Sequence, residues 1–351
     1  MTPAAASNPP AADAHAPRQR INSVDALRGL VMFTMIFVND LSGASREVVP
    51  DWMVHFSDRH PENASGMTFV DLVFPAFLFI MGMAIPFALG ARLDRDRATV
   101  KTLGHILART LALLFLGILM VNESPSTKFL GWPATWWTAL LYVSAILVWC
   151  ELSSPRRSTE PSPTQRRRPW ISWLWRVLGL AALVWLAFAW RGKRGLHIIT
   201  LQPFSLHHDW YGILGLIGWA YLVGSLAGLL FRGRRTALLG VMVLLFCLYP
   251  ADKTGLFDRF WLSRHVDIGE SLGSLAAITV AGVLLGTMLR DDTLTVTARV
   301  RFTLWFIAGT AAAALLTGGL YGINKDASTP AWCLWACAST APMQMPQASS
   351  S

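Results

Sequence analysis

Long apolar runs recur along this chain, at 24–43, 67–90, 103–121, 133–152, 171–190, 210–231, 235–250, 269–289 and 302–321. A helix needs about 20 such residues to cross the hydrocarbon core of a bilayer. In lipid the backbone must satisfy its own N–H and C=O groups, and a helix does so without a partner. The pattern predicts an all-α, polytopic transmembrane helical bundle of about nine or ten spans. The tenth would be the shorter apolar stretch 329–342, ahead of a polar tail over 343–351. Composition agrees, since 53% of the 351 residues are hydrophobic and only 15% are charged, too few to clothe a soluble core. Sixteen tryptophans suit a chain with two membrane interfaces.

The net charge of +9 would ordinarily raise the question of nucleic acid. The Lys and Arg residues sit instead in short loops between apolar runs, where they orient the spans, so no nucleic-acid partner is expected. Arg18 and Arg20 precede the first run, and further basic groups fall at 92–101, 156–168, 232–235 and 290–301. Positive loops stay cytoplasmic, which places the N-terminus inside and the loops 44–66, 122–132, 191–209, 251–268 and 322–328 outside. Only 191–209 runs against this, because it carries Arg191, Lys193 and Arg194. Residues 1–20, rich in Ala and Pro, read as a disordered cytoplasmic arm without the apolar core of a cleavable signal. The segment 153–169, SSPRRSTEPSPTQRRRP, reads as a flexible cytoplasmic linker within one membrane domain over 21–342.

Polar side chains within or beside spans are costly, on the order of 3 kcal/mol for an ionised group at a helix centre, and usually face the bundle interior. They gather at the first two runs. Asn39 and Asp40 close the first, Thr68 and Asp71 open the second, and His55, Asp58, His60 and Glu62 lie in the loop between them. Acids beside imidazoles at one membrane face are a candidate acid–base site. Asp25 and Arg28, three apart on one helix face, lie at the opposite end, as an ion pair or as a contact for an anionic cofactor. His105 and Arg109, four apart, could serve an anion or simply snorkel. Pro75 within the second run predicts a disturbed helix of the kind that lines cavities. His207, His208 and Asp209, like His55, Asp58 and His60, lack the further ligand spacing a metal centre needs, so no metal is expected. Cys150, Cys247, Cys333 and Cys337 form no CxxC pair and read as small hydrophobes.

The runs SVDALRGLVMFTMIFVND and GMTFVDLVFPAFLFIMGMAIPFAL resemble the heparan-α-glucosaminide N-acetyltransferase family, whose bacterial relatives carry a DUF5009 domain. DWYGILGLIGWAYLVG at 209–224 and GINKDASTPAW at 322–332 extend the resemblance in the family's order. The resemblance implies a membrane enzyme that takes acetyl from cytosolic acetyl-CoA and delivers it to an amino sugar or related glycan across the membrane. It implies a catalytic histidine in the first external loop, before the Gly-x-Thr that opens the second span. The family's His-x-x-Trp-x-Gly spacing is absent here. His60 lies six residues before Gly66, near the family distance, whereas His55 sits three after Trp52, in the family's upstream context. Spacing favours His60, and both stay candidates, with Asp40, Asp58 or Asp71 to orient the imidazole. Asn39, Asn324 and Lys325 are expected on the oxyanion or sugar, and Arg28, His105 and Arg109 on the cofactor phosphates. A bacterial inner membrane is the expected setting, with a homo-oligomer left open. The rival readings are a transporter, which would predict an inverted repeat the sequence does not display, and a non-catalytic member of the family.

Overall fold

A computed structural model of the chain describes residues 22–41, 49–61, 64–96, 99–121, 125–150, 169–192, 197–201, 204–206 and 211–344. Every one of the nine expected spans is helical. In chain order they are α1 (Asn22–Leu41), α2 (Phe69–Asp96) and α3 (Thr99–Val121), the single turn α4 (Thr127–Leu130), then α5 (Ala134–Trp149) and α6 (Pro169–Ala189). There follow α7 (Gly212–Leu230), α8 (Arg235–Lys253), α9 (Ala276–Leu289), α10 (Val296–Tyr321) and the short α11 (Pro330–Thr340). A π-helix, Ile268–Leu275, runs directly into α9. The one departure from an all-helical chain among the described residues is a small antiparallel hairpin, Ile199–Leu201 with Phe204–Leu206. The arm over 1–20 and nearly all of the linker 153–169 lie outside the described residues.

Among the described residues, seven helices are long and apolar enough to cross a membrane: α2, α3, α6, α7, α8, the π-helix with α9, and α10. The others differ for physical reasons. α1 has 20 residues but carries Asp25, Arg28 and Asp40, α5 has only 16 residues, and α11 has 11. Large apolar side chains stand exposed around the periphery, among them Phe33, Trp173, Trp305 and Leu316. Water would disfavour such a surface and lipid accepts it. The chain is an integral membrane protein by this measure.

α2 and α9 form the centre of the bundle and are buried along most of their length. Lipid gives helices no hydrophobic drive toward each other, so small residues that let backbones approach supply the packing. A Cβ at Gly282 would lie 2.0 Å from the Phe79 carbonyl oxygen, and one at Gly286 would lie 2.4 Å from that of Met83. From the α2 side, a Cβ at Gly82 would meet the Thr279 carbonyl oxygen at 2.1 Å. The three glycines thus seat α9 directly on α2. Around this axis α3 packs on α7, α5 on α6, α10 on α11, and α1 on α2. At the end away from the α1–α2 loop, Arg235 pairs with Asp291. The Thr293 hydroxyl and Arg235 together hold the Asp291 carboxyl down at about 2.

Replacing Gly282 by Val should destabilise the detergent-solubilised protein by about 1–3 kcal/mol or prevent folding, because backbone must move to admit the side chain. Gly309, with open space at its Cβ position, should accept Ala within about 0.5 kcal/mol. Thermal unfolding of the two variants checks this, and equal effects would contradict the packing described.

Candidate functional site

The site is built where α2 begins. Thr68 precedes the first helical residue and Asp71 is the third residue of the helix. The Asp71 carboxylate turns back to accept the Thr68 N–H at 3.0 Å, half of a capping box. Oδ2 also accepts the backbone N–H of Phe56 at 3.1 Å. The Thr68 hydroxyl has one proton and two acceptors near it, the Val54 carbonyl at 2.7 Å and Asp71 Oδ2 at 3.1 Å; the shorter bond goes to Val54. Val54 and Phe56 flank His55. Both neighbours of the histidine are therefore pinned to the start of α2 by Thr68 and Asp71.

His55 completes the arrangement. Its Nδ1 lies 2.8 Å from Asp71 Oδ1 and 2.9 Å from Lys325 Nζ. One ring nitrogen serves only one of these bonds, as donor to the acid or acceptor from the amine. Asp71 is 1% exposed and its Oδ2 is filled by two backbone donors, so Oδ1 is left to take the Nδ1 proton. That tautomer leaves Nε2 with a lone pair, and Lys325 Nζ stands 3.4 Å from it. Lys325 is also 3.6 Å from Asp71 Oδ1, so the buried carboxylate has a cation beside it. The charge of the acid and that of the amine compensate each other at a depth where either alone would be costly.

The loop bearing Lys325 is fastened to the same place. Gly66 N–H donates to the Ile323 carbonyl at 2.9 Å, and Ile323 N–H donates to the Ser65 hydroxyl at 2.8 Å. Gly66 has no room for a side chain, since a Cβ would lie 2.3 Å from the Phe56 ring. Two segments more than 250 residues apart are thus clipped together with His55 and Lys325 on the same side.

His55 and Lys325 open on a cavity of about 690 Å³. Asn39 of α1, Tyr211 ahead of α7, Asp326 beside Lys325, and polar residues at 263–265, 267, 270 and 271 contribute to its polar wall, with Asp267 and Glu270 at the start of the π-helix. The Asp267 side chain caps that helix by accepting the Glu270 N–H at 2.8 Å, and Glu270 pairs with Lys253 at 3.0 Å. π-Helical turns inside longer helices are frequent at functional sites. The Tyr211 hydroxyl donates to the His265 carbonyl at 2.7 Å, bracing the cavity wall.

The expected site residues divide clearly. His55, Asp71, Lys325 and Asn39 come together. His60 is exposed, stacked on Phe56 at 3.9 Å with Nδ1 3.1 Å from the Phe56 carbonyl oxygen, and does not line the cavity. Asp40 and Asp58 are exposed and likewise do not line it. Asn324 shapes the Lys325 turn by accepting the Ala327 N–H at 2.9 Å. Arg28 pairs with Asp25 at 3.0 Å, about 16 Å along α1 from Asn39 at 1.5 Å per residue. His105 and Arg109 are exposed on α3, with the Arg109 guanidinium over the Tyr221 ring at 4.9 Å. His207, His208 and Asp209 lie outside the described residues. Among the described residues, no group of three or more His, Cys, Asp or Glu side chains is gathered as metal ligands. Sequence reasoning missed the clamp role of Thr68, the Ser65–Ile323 clip and the acids of the π-helix. The Thr-x-x-Asp spacing at 68–71 was the available signal for the first.

Fold and site together define a class: a polytopic helical membrane protein with a His–Asp–Lys cluster on a cavity at one end of its bundle. Comparison with known proteins sharpens this. The family described as "Domain of unknown function (DUF5009)" matches residues 20–127, the stretch that holds both His55 and Asp71. Over 113 residues the chain is 34% identical to the mouse protein named heparan-alpha-glucosaminide N-acetyltransferase, covering 32% of this chain and 16% of the relative. The human protein of the same name is 34% identical over 113 residues, covering 32% of this chain and 15% of its own. The resemblance read from the first two runs is therefore matched in the N-terminal third, and the matched stretch spans about a sixth of the curated relatives.

Replacing Thr68 by Val removes the hydroxyl that holds Val54 while keeping the side-chain shape. Amide exchange of residues 54–58 should quicken by roughly fivefold to tenfold, equivalent to a lost bond of about 1 kcal/mol. Hydrogen–deuterium exchange with mass spectrometry reads it, and unchanged protection over 54–58 would contradict the clamp.

Proposed function

We propose that this chain is a transmembrane acyltransferase that moves an acetyl group from acetyl-CoA to the amine of an amino sugar or related glycan, with His55 as its base. The observation that carries the reading is the His55–Asp71–Lys325 cluster on the cavity wall, two members of which fall in the stretch that matches proteins named as N-acetyltransferases.

The chemistry follows from the tautomer. The acceptor amine attacks the thioester carbonyl while His55 Nε2 takes a proton from its nitrogen. The new C–N bond leaves an oxyanion on the former carbonyl. Lys325 Nζ, next to Nε2, is placed to stabilise that charge. Collapse of the intermediate breaks the C–S bond, and the imidazolium returns its proton to the departing thiolate, giving the free thiol of CoA. Asp71 orients the ring through Nδ1 and compensates the transient imidazolium. Asn39 reaches the cavity from α1 to bond the sugar hydroxyls.

The sidedness belongs to the same proposal. Arg232, Arg234, Arg235, Arg290, Arg299 and Arg301 lie at the end of the bundle opposite the cavity, which supports a cytoplasmic reading of that end and an external reading of the cavity. Acetyl-CoA is then a cytosolic donor, Arg28, His105 and Arg109 are the side chains available to its phosphates near the cytoplasmic end, and a bacterial inner membrane is the setting.

The test uses purified protein with labelled acetyl-CoA and glucosamine. His55→Ala should lower transfer by about 10²–10⁴-fold, while His60→Ala stays within about threefold of wild type. Both should elute as monodisperse protein. Loss of transfer in His60→Ala with full activity in His55→Ala would overturn the assignment.

A further inference from the structure

The cavity has two chemistries in one space. Its polar wall carries His55, Lys325, Asp267 and Glu270. Below that wall the lining turns apolar: Met35 and Val38 of α1, Val73 and Phe74 of α2, Ile213 and Leu216 of α7. These apolar residues sit within the last two turns of α1 and the first two turns of α2 and α7. Gly212 to Leu216 alone descends about 6 Å from the start of α7, at 1.5 Å per residue. A sugar or other fully hydroxylated ligand would use the upper wall and leave the lower one facing water. Apolar surface held against water is unfavourable, and an alkyl chain is the group that relieves it.

Met35 and Val38 of α1 and Ile213 and Leu216 of α7 line the same cavity. Ile213, in the first turn of α7, is 43% exposed. On the neighbouring part of α1, Ile36 and Phe37 are exposed toward the surroundings of the bundle.

We propose that the acceptor is amphipathic: an amine-bearing polar head held at the His55–Lys325 wall, with an alkyl chain lying between α1 and α7. The inference rests on the acyltransfer reading for the role of the head, and on the cavity lining for the chain. The acids Asp267 and Glu270 suit an amine-bearing head, which is protonated in bulk water and releases that first proton to solvent before His55 takes the second. The carrier is thus a lipid-linked amino sugar or an amino-lipid of similar shape, and not a free soluble sugar.

The probe is octyl glucosaminide bearing a diazirine at the chain end, added to the protein in phosphatidylcholine nanodiscs. Photolabelling should map to 35–38, 73–74 and 213–216, and unlabelled octyl glucosaminide should compete at least tenfold better than methyl glucosaminide. In transfer assays the octyl acceptor should show a KM at least tenfold below that of the methyl acceptor. Ile213→Trp, which narrows the gap, should bring the KM of the octyl acceptor to within about threefold of that of the methyl acceptor, and an undiminished tenfold preference would count against the alkyl site. His55→Ala separates the two claims. It should lose transfer yet keep the labelling pattern, so retained transfer in His55→Ala would sink the catalytic reading alone. Equal competition by the two glycosides would overturn the amphipathic acceptor. Labelling spread over the exposed faces of α6 and α10, or displaced equally by phosphatidylcholine, would mean an adventitious bilayer lipid only and would overturn it too.

Discussion

The Asp71 carboxylate is the group on which the rest of the site depends. It caps α2 through Thr68 N–H, holds the histidine loop through Phe56 N–H, and orients the His55 ring through Nδ1. A buried carboxylate with that many donors is stable only if none is lost, because each unsatisfied group at this depth costs about 1–3 kcal/mol. The same requirement explains why Lys325 comes in from the far end of the chain. Its ammonium is the compensating charge, and the Ser65–Ile323 and Gly66–Ile323 bonds keep it there.

This local arrangement needs a rigid floor, and the α2–α9 pair provides it. With Gly82, Gly282 and Gly286 the two backbones touch directly, so the first turn of α2 cannot drift relative to the π-helix that leads into α9. The cavity is bounded by both. Histidine and lysine are thus presented from irregular backbone, while the elements beneath them are among the most buried in the molecule. Irregular backbone at this depth is tolerated because it lines a cavity and bonds to protein, not to lipid.

Much of this was legible in the sequence. Apolar runs marked nine helices, of which seven among the described residues are long and apolar enough to cross a membrane, because lipid makes length and hydropathy the main determinants of a span. Polar residues at the ends of the first two runs marked the region of the site, because ionisable groups there are too costly to be idle. What could not be read was which of two histidines faces inward. His55 and His60 are five residues apart in an irregular loop, and neither period nor propensity orients a side chain there. The choice is made by tertiary bonds, from Thr68 to Val54 and from Asp71 to His55. The pairing of Lys325 with His55 was equally hidden, for it depends on a contact spanning 270 positions. The π-helix was read as part of an ordinary span, since periodicity does not register one extra residue per turn.

The most direct test is a structure of the protein with a bisubstrate analogue in which CoA sulfur is joined through a two-carbon acyl bridge to the glucosamine nitrogen. If the account is right, the carbon that stands for the reacting carbonyl lies about 3–3.5 Å from His55 Nε2, with its oxygen turned to Lys325 Nζ. A carbon found beside His60, or outside the cavity between α1 and α7, would contradict it.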